Sequence, residues 1–187
     1  MGGGMKLNAT AIDGLYVAET EKRADHRGAF ARLFCMNDLA AAVGGRQIVQ
    51  INHSHTAAVG ALRGLHFQHP PHAEMKMVRC LKGRVWDVAV DIRKNSPTYL
   101  QYHAVELTPD NARMMVIPEG FAHGFQVLAP ESELLYLHTA FYHPAAEGGL
   151  RYDDPALAID WPLPVSDISD RDKGHALIAE GFDGVVI

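Results

Sequence analysis

Apolar and polar positions alternate most cleanly over residues 84–92. Trp86, Val88, Val90 and Ile92 fall on one side of an extended chain, and Val85, Asp87, Ala89 and Asp91 fall on the other. One apolar face and a second face bearing two acids predict a barrel wall, with a core on one side and a polar cavity on the other. Short runs of this kind recur over residues 47–143. They are punctuated by Lys82-Gly83, Asn95-Ser96-Pro97, Thr108-Pro109-Asp110-Asn111 and Pro118-Glu119-Gly120. Turn signals about 8–12 residues apart predict an all-β sandwich or barrel. Before them stands one amphipathic helix, with Asn37 as its cap, Asp38 in its first turn and Gly44-Gly45 at its end. The tail after Pro144, rich in Pro, Asp and Gly, reads as loops and short helices wrapped around the barrel. The expected architecture is an all-β jelly-roll barrel with a short early helix and a loop/helix C-terminal tail.

Composition narrows this picture. A chain of 187 residues is expected to form one domain, residues 1–187, with residues 1–5 a flexible extension around Gly2-Gly3-Gly4. Hydrophobic residues at 48% and charged residues at 21% exclude a disordered or fibrous chain. No run approaches the roughly 18 apolar residues of a membrane helix, so no membrane partner is expected. A net charge of −5 argues against nucleic acid as a partner, since that needs a basic face. Cys35 and Cys80 lie far apart with no secretory-type apolar block before them, which reads as two free buried thiols in a reducing cytoplasm. Among eleven histidines, His53, His55, His66, His69 and His72 crowd one twenty-residue stretch, which points the search for chemistry there.

Residues 60–68 place Arg63, His66 and Gln68 among apolar neighbours in a predicted strand. His66 and Gln68 share a face; Arg63 and Leu65 share the other unless Gly64 bends the strand. With Lys76 and Arg79 following, one cavity would hold an imidazole and several cations, which suit a diphosphate. A lone histidine is more often a satisfied structural residue; the cluster shifts that balance toward function. Residues 117–125 carry Pro118, Gly120 and His123 in the spacing of the second half of the usual cupin metal motif. The first half is incomplete, because Gln68 stands where a second histidine ligand would be, and three protein ligands are the usual minimum for a catalytic metal. No metal is therefore expected. His53 and His55, at alternate strand positions, read as polar strand residues rather than a metal pair. Taken alone, Tyr136 reads as a core tyrosine and Asp172 as part of a solvated turn.

In combination these pieces resemble the dTDP-4-dehydrorhamnose 3,5-epimerase family, nucleotide-sugar epimerases with a cupin-type fold. The resemblance rests on Asp25-His26-Arg27-Gly28, residues 62–68, Lys76-Met77-Val78-Arg79, residues 87–91, Ser96-Pro97-Thr98, residues 117–124, Tyr136, Asp153-Asp154-Pro155 and Asp160-Trp161-Pro162. It runs from about Gly14 to Lys173. It implies a dTDP-linked 4-keto-6-deoxy sugar as substrate, whose carbons 3 and 5 flank the ketone and so carry acidic protons. By the resemblance His66 is the base and Asp172 its dyad partner. Lys76 is the cation at the ketone oxygen, and Tyr136 is the acid on the opposite face. Arg63 is assigned to the diphosphate, and Arg27, Gln50 and Asn52 to other nucleotide-sugar contacts, Arg27 across a homodimer interface. His123 and Asp87 match polar residues lining the cavity. Neither metal nor nicotinamide cofactor is implied, because the net redox change is zero.

The chain departs from the family pattern at a few positions. Residues 29–32 lack an acid often found after Arg27-Gly28, Leu137 stands where many members have Lys, and Phe141-Tyr142 replaces a tandem tyrosine pair. The alternatives are a mono-epimerase inverting carbon 3 or 5 of a related nucleotide sugar, and a cupin that only binds a sugar or a metal.

Overall fold

A computed structural model describes residues 4–187; Met1, Gly2 and Gly3 lie outside the described residues. In chain order the elements are β1 (Met5–Ala9), β2 (Tyr16–Thr20), β3 (Arg23–Asp25), β4 (Gly28–Phe30), α1 (Ala40–Val43), β5 (Gln50–Thr56), β6 (Leu62–Gln68) and β7 (Lys76–Lys82). They continue with β8 (Val85–Asp91), β9 (Tyr102–Leu107), β10 (Arg113–Ile117), β11 (Phe121–Val127), β12 (Ser132–His138), β13 (Glu147–Gly149) and α2 (Asp170–Lys173). Two antiparallel sheets face each other, with strand orders β1-β2-β10-β7-β12-β5 and β13-β6-β11-β8-β9; β3 and β4 form a separate exposed hairpin.

Strand period 2 builds three apolar layers. On β10, Met115 and Ile117 point between the sheets, where they join Val78, Val85, Phe125, Val127 and Leu134. Met114 and Val116 point the other way, onto Leu39 and Val43 of the α1 region. Trp86, Val88, Val90 and Ile92 of β8 meet Leu150, Leu157, Trp161 and Ile178 from the tail. The tail thus wraps the barrel, as its composition implies. Both faces of β8 are buried rather than one: Val85 and Ala89 lie in the inter-sheet core. Asp91 is no cavity residue; at the strand end its carboxylate accepts from Arg93, Ser96 and Thr98.

Two local expectations are corrected. The early helix is four residues long and is preceded by turns, and Leu39, not Asn37, occupies its cap position. Asp38 does not serve a first turn: its carboxylate accepts from the Met5 amide and pairs with Arg32 at 2.9 Å. Gly44, at φ +59, ends the helix as expected. Met5 is not part of a flexible extension, because it pairs with Thr20 at the start of β1 and is buried.

Candidate active site

The open mouth between the sheets forms a cleft of about 330 Å³. Its walls come from β5, β7 and β12 on one side and β6 and β11 on the other, with Glu147 and Arg171 from the tail at the rim. An irregularity in β6 decides which side chains enter. His123 of β11 opposes His66, but Phe125, two residues on, opposes Arg63, so β6 carries one extra residue. That shift brings Arg63 round to the same side as His66 and Gln68, and all three line the cleft. Gly64 permits it: its φ is +127, and a Cβ there would lie 2.5 Å from Gly124 Cα and 2.8 Å from the His123 carbonyl oxygen.

His66 Nε2 lies 2.8 Å from Asp172 Oδ1, and Asp172 Oδ2 accepts the Gly64 amide at 3.1 Å. Asp172 stands in α2, whose cap Ser169 accepts its backbone N–H. Burial pushes the Asp172 carboxyl up, but the His66 contact and the Gly64 N–H outweigh it, and the group sits well below the usual carboxylate range. A carboxylate at that distance requires the proton on Nε2, which leaves Nδ1 as the basic nitrogen of His66.

Tyr136 rises from β12 on the opposite sheet, its hydroxyl 3.0 Å from Ser54 Oγ. Burial pushes its phenol up, which favours the protonated form. Lys76 begins β7 and pairs with Glu74 at 3.4 Å. Between the sheets His123 Nε2 meets Asp87 Oδ1 at 2.8 Å, both buried. Desolvation lowers the His123 pKa against the pull of Asp87, and so favours the neutral ring. The arrangement sets an imidazole with an orienting carboxylate on one wall, a phenol on another, and an ammonium on the strand beside it. That is the equipment for taking a proton from carbon next to a carbonyl and returning one elsewhere.

A family model described as dTDP-4-dehydrorhamnose 3,5-epimerase matches residues 9–180. The chain belongs to that family. It is 43% identical over 169 residues to the dTDP-4-dehydrorhamnose 3,5-epimerase of Shigella flexneri, covering 90% of this chain and 93% of that protein. It is 38% identical over 180 residues to a dTDP-4-dehydrorhamnose 3-epimerase of Streptomyces niveus, covering 96% and 86%. The crystal structure of the dTDP-6-deoxy-D-glucose-3,5-epimerase from Legionella pneumophila Philadelphia 1, in complex with dTDP-4-keto-L-rhamnose, superposes with a TM-score of 0.88. It shares 41% identity and covers 94% of this chain and 93% of that one. The chain is thus an epimerase with the cupin-type jelly roll of its family, and no helix among the described residues is long and apolar enough to cross a membrane.

As a member of the epimerase family, the chain brings most of its sequence-selected residues to one place. His66, Lys76, Tyr136, His123, Arg63 and Asn52 line the cleft, with Asp172 and Asp87 behind the two imidazoles; Gln50 opposes His138 at one end of β5. Arg27 is not among them. It sits on the exposed β3–β4 turn, paired with Asp25 at 2.6 Å. Arg79 is no cavity cation. Three residues from Lys76, it points to the opposite face of β7, where it is buried and donates to Thr20 Oγ1. Burial there lowers its pKa to about 10.

Gln68 lines the cleft, but its amide ties down loop backbone, donating to the His72 and Phe141 carbonyls and accepting from the His143 amide. His53 and His55 pair with Glu133 and Glu131 at the surface, His53 also bordering the cleft. His66, Asp172 and His175 each offer a donor atom within 4.8 Å of the others. Arg171 Nη2, however, stands 3.1 Å from His66 Nε2, a cation where a metal would need a lone pair.

The sequence does not single out Glu74, His138, Glu147 and Arg171 of the cleft, nor Ser54, the partner of the Tyr136 hydroxyl. A signal existed for the first two. Glu74 precedes Lys76 by two positions and His138 follows Tyr136 by two, and period 2 places each beside a residue already chosen.

Proposed function

We propose that this epimerase inverts carbons 3 and 5 of dTDP-4-dehydro-6-deoxy-D-glucose to give dTDP-4-dehydro-L-rhamnose. The observation that carries the reading is the placement of His66 and Tyr136 on different sheets facing one cleft, since inversion needs proton removal and return on opposite faces. In this reading His66 Nδ1 takes the proton from the carbon beside the ketone, and Asp172 steadies the resulting imidazolium. The Lys76 ammonium faces the oxygen on which enolate charge develops. Tyr136 delivers a proton from the other wall. Imidazolium and phenolate then return to their starting forms by exchange with water, so protons balance. Arg63 stands near the mouth, its guanidinium donating to Thr56 Oγ1 and the His55 carbonyl with N–H groups left over for a diphosphate.

The same reading assigns Gln50 and Asn52 to the nucleotide sugar and Arg27 to the cleft of a second copy in a homodimer. The exposure of the whole β3–β4 hairpin, with Phe30 at 65%, supports that assembly. Free Cys35 and Cys80 fit a reducing cytoplasm. The test is to incubate the protein with dTDP-4-dehydro-6-deoxy-D-glucose, reduce the product at carbon 4 and read its proton spectrum. dTDP-L-rhamnose supports double inversion. A product inverted at carbon 3 alone supports the activity named for the Streptomyces niveus relative, and unchanged substrate refutes the proposal.

A further inference from the structure

Glu74 and His138 take no part in the steps above, yet both are almost fully buried in the cleft wall. Glu74 divides its carboxylate: Oε1 faces Lys76 Nζ at 3.4 Å and Oε2 lies 2.8 Å from His138 Nδ1. His138 opposes Lys76 directly across β12 and β7, and its ring lies within 17° of parallel to Tyr136. On its far side Nε2 is 3.3 Å from Asn52 Nδ2. The amide of Asn52 is oriented in turn, because its Oδ1 accepts from Gln50 Nε2 at 3.3 Å. Gln50 Oε1 accepts the Tyr142 backbone N–H. With Asn52 donating to Nε2, His138 carries its proton on Nδ1 and donates it to Glu74. Every link then has one donor and one acceptor, and the chain runs from the β5 rim to the Lys76 ammonium.

We propose that Glu74 and His138 form a positioning pair for Lys76, holding its ammonium where the enolate oxygen develops and tying that cation to the strand that carries Gln50 and Asn52. The inference rests on the epimerase reading above. An ammonium has three N–H donors on a flexible stem, and Glu74 is its one ion-pair partner among the described residues. Burial pushes the Glu74 carboxyl up, but His138 and Lys76 outweigh it, so an ionised acceptor faces the ammonium. The ion pair holds the ammonium from one side and leaves N–H donors for the cleft. Such a cation acts on charge that appears only in the transition state, so its loss of aim is felt in kcat and not in KM.

The test compares Glu74→Ala, Glu74→Gln, His138→Ala, His138→Asn and the Glu74→Ala/His138→Ala double variant in the full chain. For each, kcat and KM on dTDP-4-dehydro-6-deoxy-D-glucose are measured beside the melting temperature. Both single alanine variants are expected to lose about 10- to 100-fold in kcat with KM within about threefold. His138→Asn, whose amide N–H can replace Nδ1–H, is expected to recover most of the loss. Glu74→Gln, which keeps an acceptor and the side-chain volume, is expected to fall between Glu74→Ala and wild type even if Glu74→Ala folds poorly. The double variant is expected to be no slower than Glu74→Ala, as for residues that act as a unit.

Wild-type kcat in the alanine variants would overturn the inference, as would multiplicative losses in the double variant. So would His138→Asn matching His138→Ala while melting temperature alone tracks the loss. A wild-type chain without turnover would instead overturn the epimerase reading and this inference with it.

Discussion

Two carboxylate–imidazole pairs meet between the sheets at the same 2.8 Å, Asp172 with His66 and Asp87 with His123. Their residue types and separation are identical; their surroundings are not. His66 keeps a quarter of its side chain open, at 26%, and its carboxylate arrives from α2, far along the chain. The second oxygen of that carboxylate is satisfied by the Gly64 amide. His123 and Asp87 sit on neighbouring strands at 5% and 0% exposure, and Asp87 Oδ2 has no partner among the described residues. In the proposed mechanism the first pair serves as the base, because its imidazole is open to the cleft and the carboxylate behind it is fully held. The second, buried on both sides, fixes a neutral imidazole in the cavity wall instead.

The sharpest way to break the comparison is to remove each histidine. His66→Ala is expected to lower kcat on the order of 10³–10⁴-fold and to abolish exchange at both carbons, with a smaller stability loss than His123→Ala because the Gly64 amide and Arg171 still hold Asp172. If it retained proton exchange, the two pairs would not differ in role. His123→Ala is expected to do the reverse. It strands a buried carboxylate, so a stability loss of about 3 kcal/mol in urea titration is expected, with kcat/KM falling at least tenfold less than in His66→Ala. A smaller effect separates the pairs by pH. The His123 pKa is depressed by burial, so the unfolded chain takes up that proton first, and stability drains as pH falls below about 6.5. The depressed carboxyl of Asp172 begins to cost stability only as pH falls below about 3.9. The slope of unfolding free energy between about pH 6.5 and 5 should therefore flatten in His123→Asn, and an unchanged slope would place a charged His123 in the fold.

Much of this contrast was legible in the sequence, for reasons that differ by residue. The alternation of residues 84–92 announced β8, and turn residues such as Lys82-Gly83 marked the strand ends, because both are local properties of the chain. The family motifs singled out His66, Lys76, Tyr136 and Asp172. What stayed hidden depends on neighbours distant in sequence. The extra residue in β6 that turns Arg63 inward is permitted by Gly64; the sequence offers that bend only as a condition, because the register against β11 that decides it is set by a strand distant in the chain. Asn37-Asp38 looked like a helix start, but Asp38 serves Met5 and Arg32 instead. Arg79 and Glu74 are a different case: they lie only three and two residues from Lys76, and local spacing alone separates Arg79, behind the sheet, from Glu74, paired with the lysine.

The central claim is that removal and return of the proton come from opposite walls, His66 on one and Tyr136 on the other. Position-resolved deuterium incorporation by Tyr136→Phe, with dTDP-4-dehydro-6-deoxy-D-glucose in heavy water, tests it most directly. The account predicts deuterium entering beside the ketone through His66, while inversion at carbon 5 falls at least about 100-fold below wild type. Inversion of carbon 5 at the wild-type rate would contradict the account.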